Sequence, residues 1–351
     1  MNSNFQVSSK LYDYDVYIGI NLIKSVITKD MFILTDERFE KYVSSLSENI
    51  ITVHSQEDLK SLETCEVVLN KMVSLQMNRK STLVAIGGGI IQDLATMIAS
   101  IYMRGIRWVY FPTTLMSMMD SCIGGKSSIN VGTWKNLVGN FYPPAEIYID
   151  VEFIKSLDTV AIASGVLEGL KICYAHNLDS FSSYKKFLEL ASIENPHTYT
   201  NLIEHSLKTK KWFVEEDEKD EGVRQLLNFG HTFGHALESA TGYLVPHGIA
   251  IGIGMLAAFD FSSRDNDCPE LQIVSNIRVI LEGAQFELEK IKLSFEPTDF
   301  MSAFNKDKKH TTSHFKLVLP RDTGLELVGF DRTAEIEEKV LTSMQNVLDS
   351  L

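Results

Sequence analysis

TLVAIGGGIIQDLATMIASIYMRG, residues 82–105, decides the fold class. An apolar run rich in β-branched residues ends in Gly87, Gly88 and Gly89, then gives way to apolar residues at helical spacing. A strand, a glycine turn and a helix in that order open a βαβ unit. The glycines allow a ligand's phosphates to approach the backbone. The helix behind them offers free N–H groups and the positive end of its dipole. The run is not GxGxxG, and a tight strand-to-helix turn also favours glycine. A phosphate cradle and a purely structural turn both remain open. Asp93 is either a ligand-facing acid or a first-turn carboxylate favoured by the dipole.

The same alternation extends outward in both directions. DVYIGI (15–20), MFILTD (31–36), NIITVHS (49–55), RWVYFPTT (107–114) and EIYIDV (146–151) read as buried strands. EDLKSLETCEVVLNKMVSL (57–75) between them is helical in pattern. Strands alternating with helices predict a parallel sheet. After about residue 152 the pattern becomes long and helical: SGVLEGLKICYAHN (164–177), FSSYKKFLELASI (181–193), TNLIEHSLKTKKWFVEED (200–217) and GIAIGIGMLAAFDFSSRD (248–265). Only HFKLVLP and LELVGF read as strands there. The expectation is an α/β domain over 1–151 and a mainly α-helical domain over 152–351.

Composition narrows the function classes. With 44% hydrophobic and 23% charged residues, the chain has the profile of a soluble globular protein. No apolar run reaches the roughly 18 residues that span a bilayer, so no membrane role is expected. The opening MNSNFQVSSKLYDYD lacks the basic and apolar regions of a secretory signal. Cys65, Cys122, Cys173 and Cys268 show no CxxC spacing, which points to free thiols in a reducing compartment, the cytoplasm. A net charge of −13 disfavours nucleic acid as a partner. It leaves an anionic small molecule open, because a basic pocket can sit inside an acidic protein.

Two further stretches carry groups suited to chemistry. FPTTLMSMMDSCIGGKSSINVGTWKNLVGNFYPP (111–144) ends a strand at Thr113 and Thr114, the edge where parallel sheets bind ligands. Asp120, Lys126, Lys135 and Asn136 are expected on loops or helix ends, with Lys126 following two glycines as in phosphate-binding loops. A surface loop with ordinary charges is the structural alternative. LLNFGHTFGHALESATGYLVPHGIA (226–250) places His231 and His235 four apart, on one helix face, with His247 after a turn at the head of the next helix. Two histidines bind a metal weakly, so a third and usually a fourth ligand are needed. Glu168 in SGVLEGLKI can supply a carboxylate, although Glu168 and Lys171 alone would be read as a surface i,i+3 ion pair.

The ordered set GGGIIQD, YMRG, PTTLMSMMDSCIGGKSSIN, KNLVG, SGVLEGLK, RQLLNFGHTFGHALE, PHG and DKK resembles 3-dehydroquinate synthase and its sugar-phosphate cyclase relatives, from about residue 35 to 320. The resemblance implies a Rossmann-like NAD-binding domain followed by a helical metal- and substrate-binding domain, in a homodimer. It implies conversion of the anionic sugar-acid phosphate 3-deoxy-D-arabino-heptulosonate 7-phosphate (DAHP) into 3-dehydroquinate and phosphate, in the shikimate route to aromatic amino acids. The implied metal ligands are Glu168, His231 and His247, holding zinc or cobalt in its place. The implied NAD set is Asp36, Glu57, Lys60, Gly88, Gly89, Asp93, Thr113, Thr114, Lys135 and Asn136. The implied catalytic and substrate set is Asp120, Lys126, Lys171, Lys210, Arg224, Asn228, His235 and a lysine of the pair Lys308 and Lys309. Arg104 is implied to reach the neighbouring subunit's site.

Three departures from the family pattern stand out. Arg38 in LTDERF replaces a common asparagine near the adenine ribose. SLDTVAIASG lacks the usual Pro-x-Arg-Glu, and HTTSHF follows DKK where glycine and a basic residue are usual. Other readings share part of the pattern: another cyclase making an amino-dehydroquinate, a deoxy-scyllo-inosose or a valiolone, a metal-dependent alcohol dehydrogenase, or a non-catalytic metabolite-binding protein. The other cyclases usually change the positions that Lys210, Arg224 and Asn228 match, so the resemblance implies a substrate with a carboxylate. Arg224 lies seven residues before His231, which on a continuous helix would put both on one face.

Overall fold

The computed structural model describes residues 3–132, 134–262, 270–322 and 324–351. The chain divides into two units, Met1–Ser156 with Lys185–Glu218, and Leu157–Tyr184 with Lys219–Leu351. The first holds nine described strands: β1 Ser3–Val7, β2 Tyr14–Gly19, β3 Phe32–Asp36, β4 Asn49–Val53, β5 Thr82–Gly87, β6 Arg107–Pro112, β7 Ile129–Val131, β8 Trp134–Val138 and β9 Glu146–Asp150. Seven form one sheet in the order β1-β2-β9-β6-β5-β3-β4. All its pairings are parallel except β1 with β2. Leu83–Gly87 is buried without interruption, which explains why the strand reads as continuously apolar: helices cover both faces of a parallel sheet.

The sheet's connectivity reverses at one point. From β3 the chain moves outward to the edge strand β4, whereas from β5 it moves the other way to β6. The strand order therefore reverses between β3 and β5, whose ends are in register at Thr35 and Ile86. Ligands of open α/β sheets bind in the crevice at such a reversal, beyond the strands' carboxyl ends. Asp36 ends β3 there and Gly87 ends β5, followed at once by the helix Gly89–Ile101. Gly87 has a packing role: a Cβ would lie 2.4 Å from Ile91 Cγ1.

Two features differ from the sequence expectation, and Asp120 keeps the helix end expected of it. Lys135 and Asn136 lie on β8, in an antiparallel hairpin with β7, and not on a loop or helix end. β8 exposes most of its side chains, so no buried face marked it as a strand. Asp120 sits in a turn of π-helix, Ser117–Ser121. The helix Tyr199–Glu216, expected with the C-terminal domain, belongs to the first unit, where Ser206 Oγ donates to Met119 O at 2.9 Å. Helical periodicity reveals a buried face but not which core buries it.

The second unit contains the helices Thr159–His176, His231–Ala240, His247–Ser262, Glu270–Ala284, Pro297–Asn305 and Ala334–Ser350. It also holds the antiparallel hairpin β10 His314–Arg321 and β11 Gly324–Asp331. The helix His247–Ser262 is apolar on every side and sits at the centre of this unit. Ser263, Arg264 and Asp265, expected to continue it, and Cys268 lie outside the described residues. Two glycines let its neighbours close in. A Cβ on Gly248 would lie 2.4 Å from Ser164 Cα, and one on Gly254 would lie 2.1 Å from Gly230 O. Those approaches bring the helix of Glu168 and the start of the helix of His231 up to His247.

Candidate active site

The second unit draws the three histidines together. His231 opens one helix, His235 lies one turn on, and His247 opens the next. One ligand atom from each lies within 4.8 Å of the others, and the ring centroids are 5.2–5.5 Å apart. Glu168 joins them from the helix Thr159–His176. Its Oε1 is buried, accepts no hydrogen bond among the described residues and stands 3.5 Å from His247 Nε2. Its Oε2 pairs with Lys171 Nζ, and both side chains are at most 2% exposed. The Glu168–Lys171 pair is thus buried and not a surface bridge. A buried carboxylate oxygen left open beside three imidazoles is what a divalent cation requires.

The histidines differ in how they are held. His231 Nδ1 faces Phe229 O at 3.3 Å, so as the neutral N–H donor it leaves Nε2 with a free lone pair. His247 Nδ1 faces both Glu238 oxygens at 3.3 Å, leaving Nε2 toward Glu168. No hydrogen bond holds His235 among the described residues, and it is exposed. Desolvation, then the cations around it, Lys171 first, hold His231 well below the usual imidazole range, in the neutral form that ligates metals. Desolvation opposes charge on His247 as well, but Glu168 and Glu238 outweigh it and push the ring up to about 10.

Of the cations expected near substrate, Lys309 acts together with Lys171 on the histidine cluster, at His231 and His235. Lys309 pairs with Asp307 Oδ2 at 2.7 Å, and its backbone N–H donates to Asp307 Oδ1 at 3.0 Å. Lys308 is exposed. Arg224 is 3% exposed. It lies in the 3₁₀ turn Val223–Asn228, which Phe229 in non-helical backbone (ψ 128°) and Gly230 at φ 77° separate from the helix of His231. The continuous-helix expectation for Arg224 and His231 is therefore wrong: a left-handed glycine breaks the path. Asn228 Nδ2 donates to Gln225 O at 3.0 Å.

The first unit holds the remaining residues, several of them at the carboxyl ends of its strands. Lys60, 6% exposed, is the hub. Its Nζ lies 2.7 Å from Asn136 Oδ1, 3.1 Å from Asp93 Oδ2 and 3.4 Å from Glu57 Oε1. Burial pushes the Asp93 carboxyl up, against Lys60 and two bonds from Ser128. Asn130 completes the ring, donating to Glu57 O at 2.8 Å and accepting from Asn136 N at 2.9 Å. Ser128 and Asn130 were not singled out from the sequence, although SSIN ends the motif PTTLMSMMDSCIGGKSSIN. Thr113 N donates to Gly87 O at 3.0 Å, and Thr114 caps the next turn through Ser117. A Cβ on Gly88 would meet Thr114 Cγ2 at 3.0 Å, while Gly89 faces open space. Lys210 is buried and pairs with Asp120 in this same unit. Lys126 is half-buried and Lys135 exposed. Arg104 is exposed at φ 68°, between Met103 at φ 48° and Gly105 at φ 113°. Two successive non-glycine residues in left-handed backbone cost roughly 1–2 kcal/mol each, strain that clusters at functional positions.

Comparison with known proteins identifies the family. The 3-dehydroquinate synthase N-terminal family model matches residues 50–164, and the C-terminal model matches 165–310. The chain is 35% identical over 338 residues to 3-dehydroquinate synthase of Dictyoglomus turgidum, covering 93% of each chain. Among solved structures, a 2-deoxy-scyllo-inosose synthase complexed with carbaglucose-6-phosphate, NAD+ and Co2+ superposes with a TM-score of 0.81 at 22% identity, covering 98% of this chain and 99% of the other. A 2-epi-5-epi-valiolone synthase from Streptomyces hygroscopicus with NAD+ and Zn2+ bound gives the same score at 21% identity, covering 99% and 100%. At those identities the structures establish a shared fold. With both halves of the family's sequence pattern matched and whole-length similarity at 35% identity, this chain belongs to the 3-dehydroquinate synthase family.

Proposed function

We propose that this chain converts DAHP into 3-dehydroquinate and phosphate, the reaction for which its family is named. The observation that carries the reading is the second unit's cluster: Glu168 Oε1 left open beside His231 and His247, with His235, Lys171 and Lys309 around them. When bound, NAD supplies a reversible hydride acceptor, and a zinc or cobalt ion supplies an electrophile that acidifies a substrate hydroxyl. Glu168, His231 and His247 would hold the ion. The orienting bonds from Phe229 O and Glu238 support that choice, and the exposed, unanchored His235 suits substrate contact. The dinucleotide set, Asp36, Glu57, Lys60, Gly88, Gly89, Asp93, Thr113, Thr114, Lys135 and Asn136, is carried by the first unit's sheet edge and its β7–β8 hairpin.

The remaining residues bind charge and fix geometry. Lys126, Lys309 and Arg104 suit a phosphate, Arg104 reaching across a homodimer, and Lys210 and Arg224 suit a carboxylate. Holding one flexible polyol phosphate in a single conformation is the larger part of the catalysis, because the ring closure is intramolecular. The three described cysteines are free and buried, which supports a cytoplasmic setting. No described helix is long and apolar enough to cross a membrane.

Two measurements test the reading. With DAHP in excess over NAD and zinc present, phosphate should accumulate far beyond the dinucleotide supplied, with no lasting rise at the NADH absorbance. Stoichiometric NADH would point instead to a dehydrogenase. Arg224→Lys should keep fold and metal but lose about 2–4 kcal/mol in kcat/KM, because an ammonium cannot reproduce a two-pronged grip on a carboxylate. An equal loss on an analogue without the carboxylate would make Arg224 structural.

A further inference from the structure

Asp36 ends β3 at the reversal point of the sheet, and Arg38 engages both oxygens of its carboxylate. Oδ1 accepts from Arg38 N at 2.7 Å and from Arg38 Nε at 2.9 Å, while Oδ2 accepts from Nη2 at 2.9 Å. The side chains differ sharply in exposure, 5% for Asp36 and 78% for Arg38. The neighbouring acid, Glu37, is turned toward His54 Nδ1 at 3.1 Å. Arg38 Nη1 makes no hydrogen bond among the described residues.

A carboxylate at this strand end is the group that reads the adenosine ribose of a dinucleotide, and alone it repels a 2′-phosphate. Here its charge is cancelled in place by a guanidinium that faces solvent with donors to spare. A guanidinium is the side chain best shaped to grip a phosphate by two parallel bonds. Only the Asp36 end of the pair is buried; the Arg38 end faces solvent, which screens the attraction. We propose that Arg38 is a specificity residue that opens this site to NADP+ alongside NAD+, by neutralising Asp36 and meeting the 2′-phosphate. The inference rests on the reading of the first unit as the dinucleotide site.

Equilibrium binding of NAD+ and NADP+ to the purified protein, by calorimetry without substrate, tests it independently of turnover. The expected result is an NADP+ Kd within about tenfold of the NAD+ Kd. Arg38→Gln should raise the NADP+ to NAD+ Kd ratio at least about tenfold, as loss of a charge-assisted contact to phosphate should. Arg38→Lys should give an intermediate ratio, since the charge remains without the fork. Wild-type protein that binds NAD+ and discriminates against NADP+ by more than about a hundredfold overturns the proposal. So does an Arg38→Gln variant that weakens both dinucleotides equally, because Arg38 then only steadies the Asp36 carboxylate that caps the turn after β3. Binding of neither dinucleotide would overturn the dinucleotide-site reading itself.

Discussion

His247→Ala is expected to abolish turnover and to release the metal from an otherwise folded protein. His247 opens its helix with Nδ1 toward Glu238 and Nε2 toward Glu168, so its ring is fixed from one side and directed inward on the other. Losing an outer-sphere partner such as Glu238 typically costs roughly 10–100-fold in metal affinity. Losing the imidazole should cost more, because only two of the three proposed protein ligands would remain. The informative series is His247→Ala, Glu238→Gln and His235→Ala, each scored for zinc per chain and for kcat/KM. The proposed ligand set predicts metal loss in the first, weakened metal in the second, and full metal with impaired kcat/KM in the third. His235 is the sharp test, since the three histidines cluster tightly enough to form an all-histidine site. Metal loss in His235→Ala with retention in Glu168→Gln would replace the proposed set by the three imidazoles.

Much of this arrangement was legible before any coordinates. The strands of the parallel sheet announce themselves because both faces are buried, which makes runs such as LVAI continuously apolar. The histidine pair announces itself through the i,i+4 spacing of one helix face. What was not legible depends on tertiary choices. β8 carries exposed side chains, and it is a strand because Ile129 and Val131 on β7 pair with it. Tyr199–Glu216 carries an ordinary apolar stripe, and its assignment to the first unit follows from partners such as Met119, distant in sequence. Arg224 and His231 looked like helical neighbours because nothing in RQLLNFGH except Gly230 signals the break, and a glycine before a helix is compatible with either path. Ser128 and Asn130 were missed because serine and asparagine between glycine-rich motifs usually mark turns, and only the Lys60–Asp93 hub makes them part of a network.

Lys171→Met should produce the largest stability change, and its dependence on metal should reveal what Glu168 does. The Glu168–Lys171 pair is shut off from solvent, with side chains 1% and 2% exposed. Removing one partner of such a pair usually costs about 3–5 kcal/mol, because the other charge is left buried without compensation. Methionine fills similar space, so the loss should be electrostatic and not a cavity effect. If Glu168 is a metal ligand, zinc supplies the missing positive charge. Urea unfolding of the metal-free variant should then show the full loss, and added zinc should restore stability at least as strongly as it does for the wild type, following the mass-action gain of binding to the folded state alone. Glu168→Gln should also destabilise, because it leaves the Lys171 ammonium buried without its counter-charge, but here zinc should restore far less. The double variant should fall short of the sum of the two single losses, as expected for residues in direct contact. A Lys171→Met loss below about 1 kcal/mol would show that Glu168 is already compensated without the lysine, since surface-like pairs are worth that much. Equal zinc stabilisation of Glu168→Gln and the wild type would remove Glu168 from the ligand set, leaving Lys171 and Glu168 as a structural pair beneath the histidines.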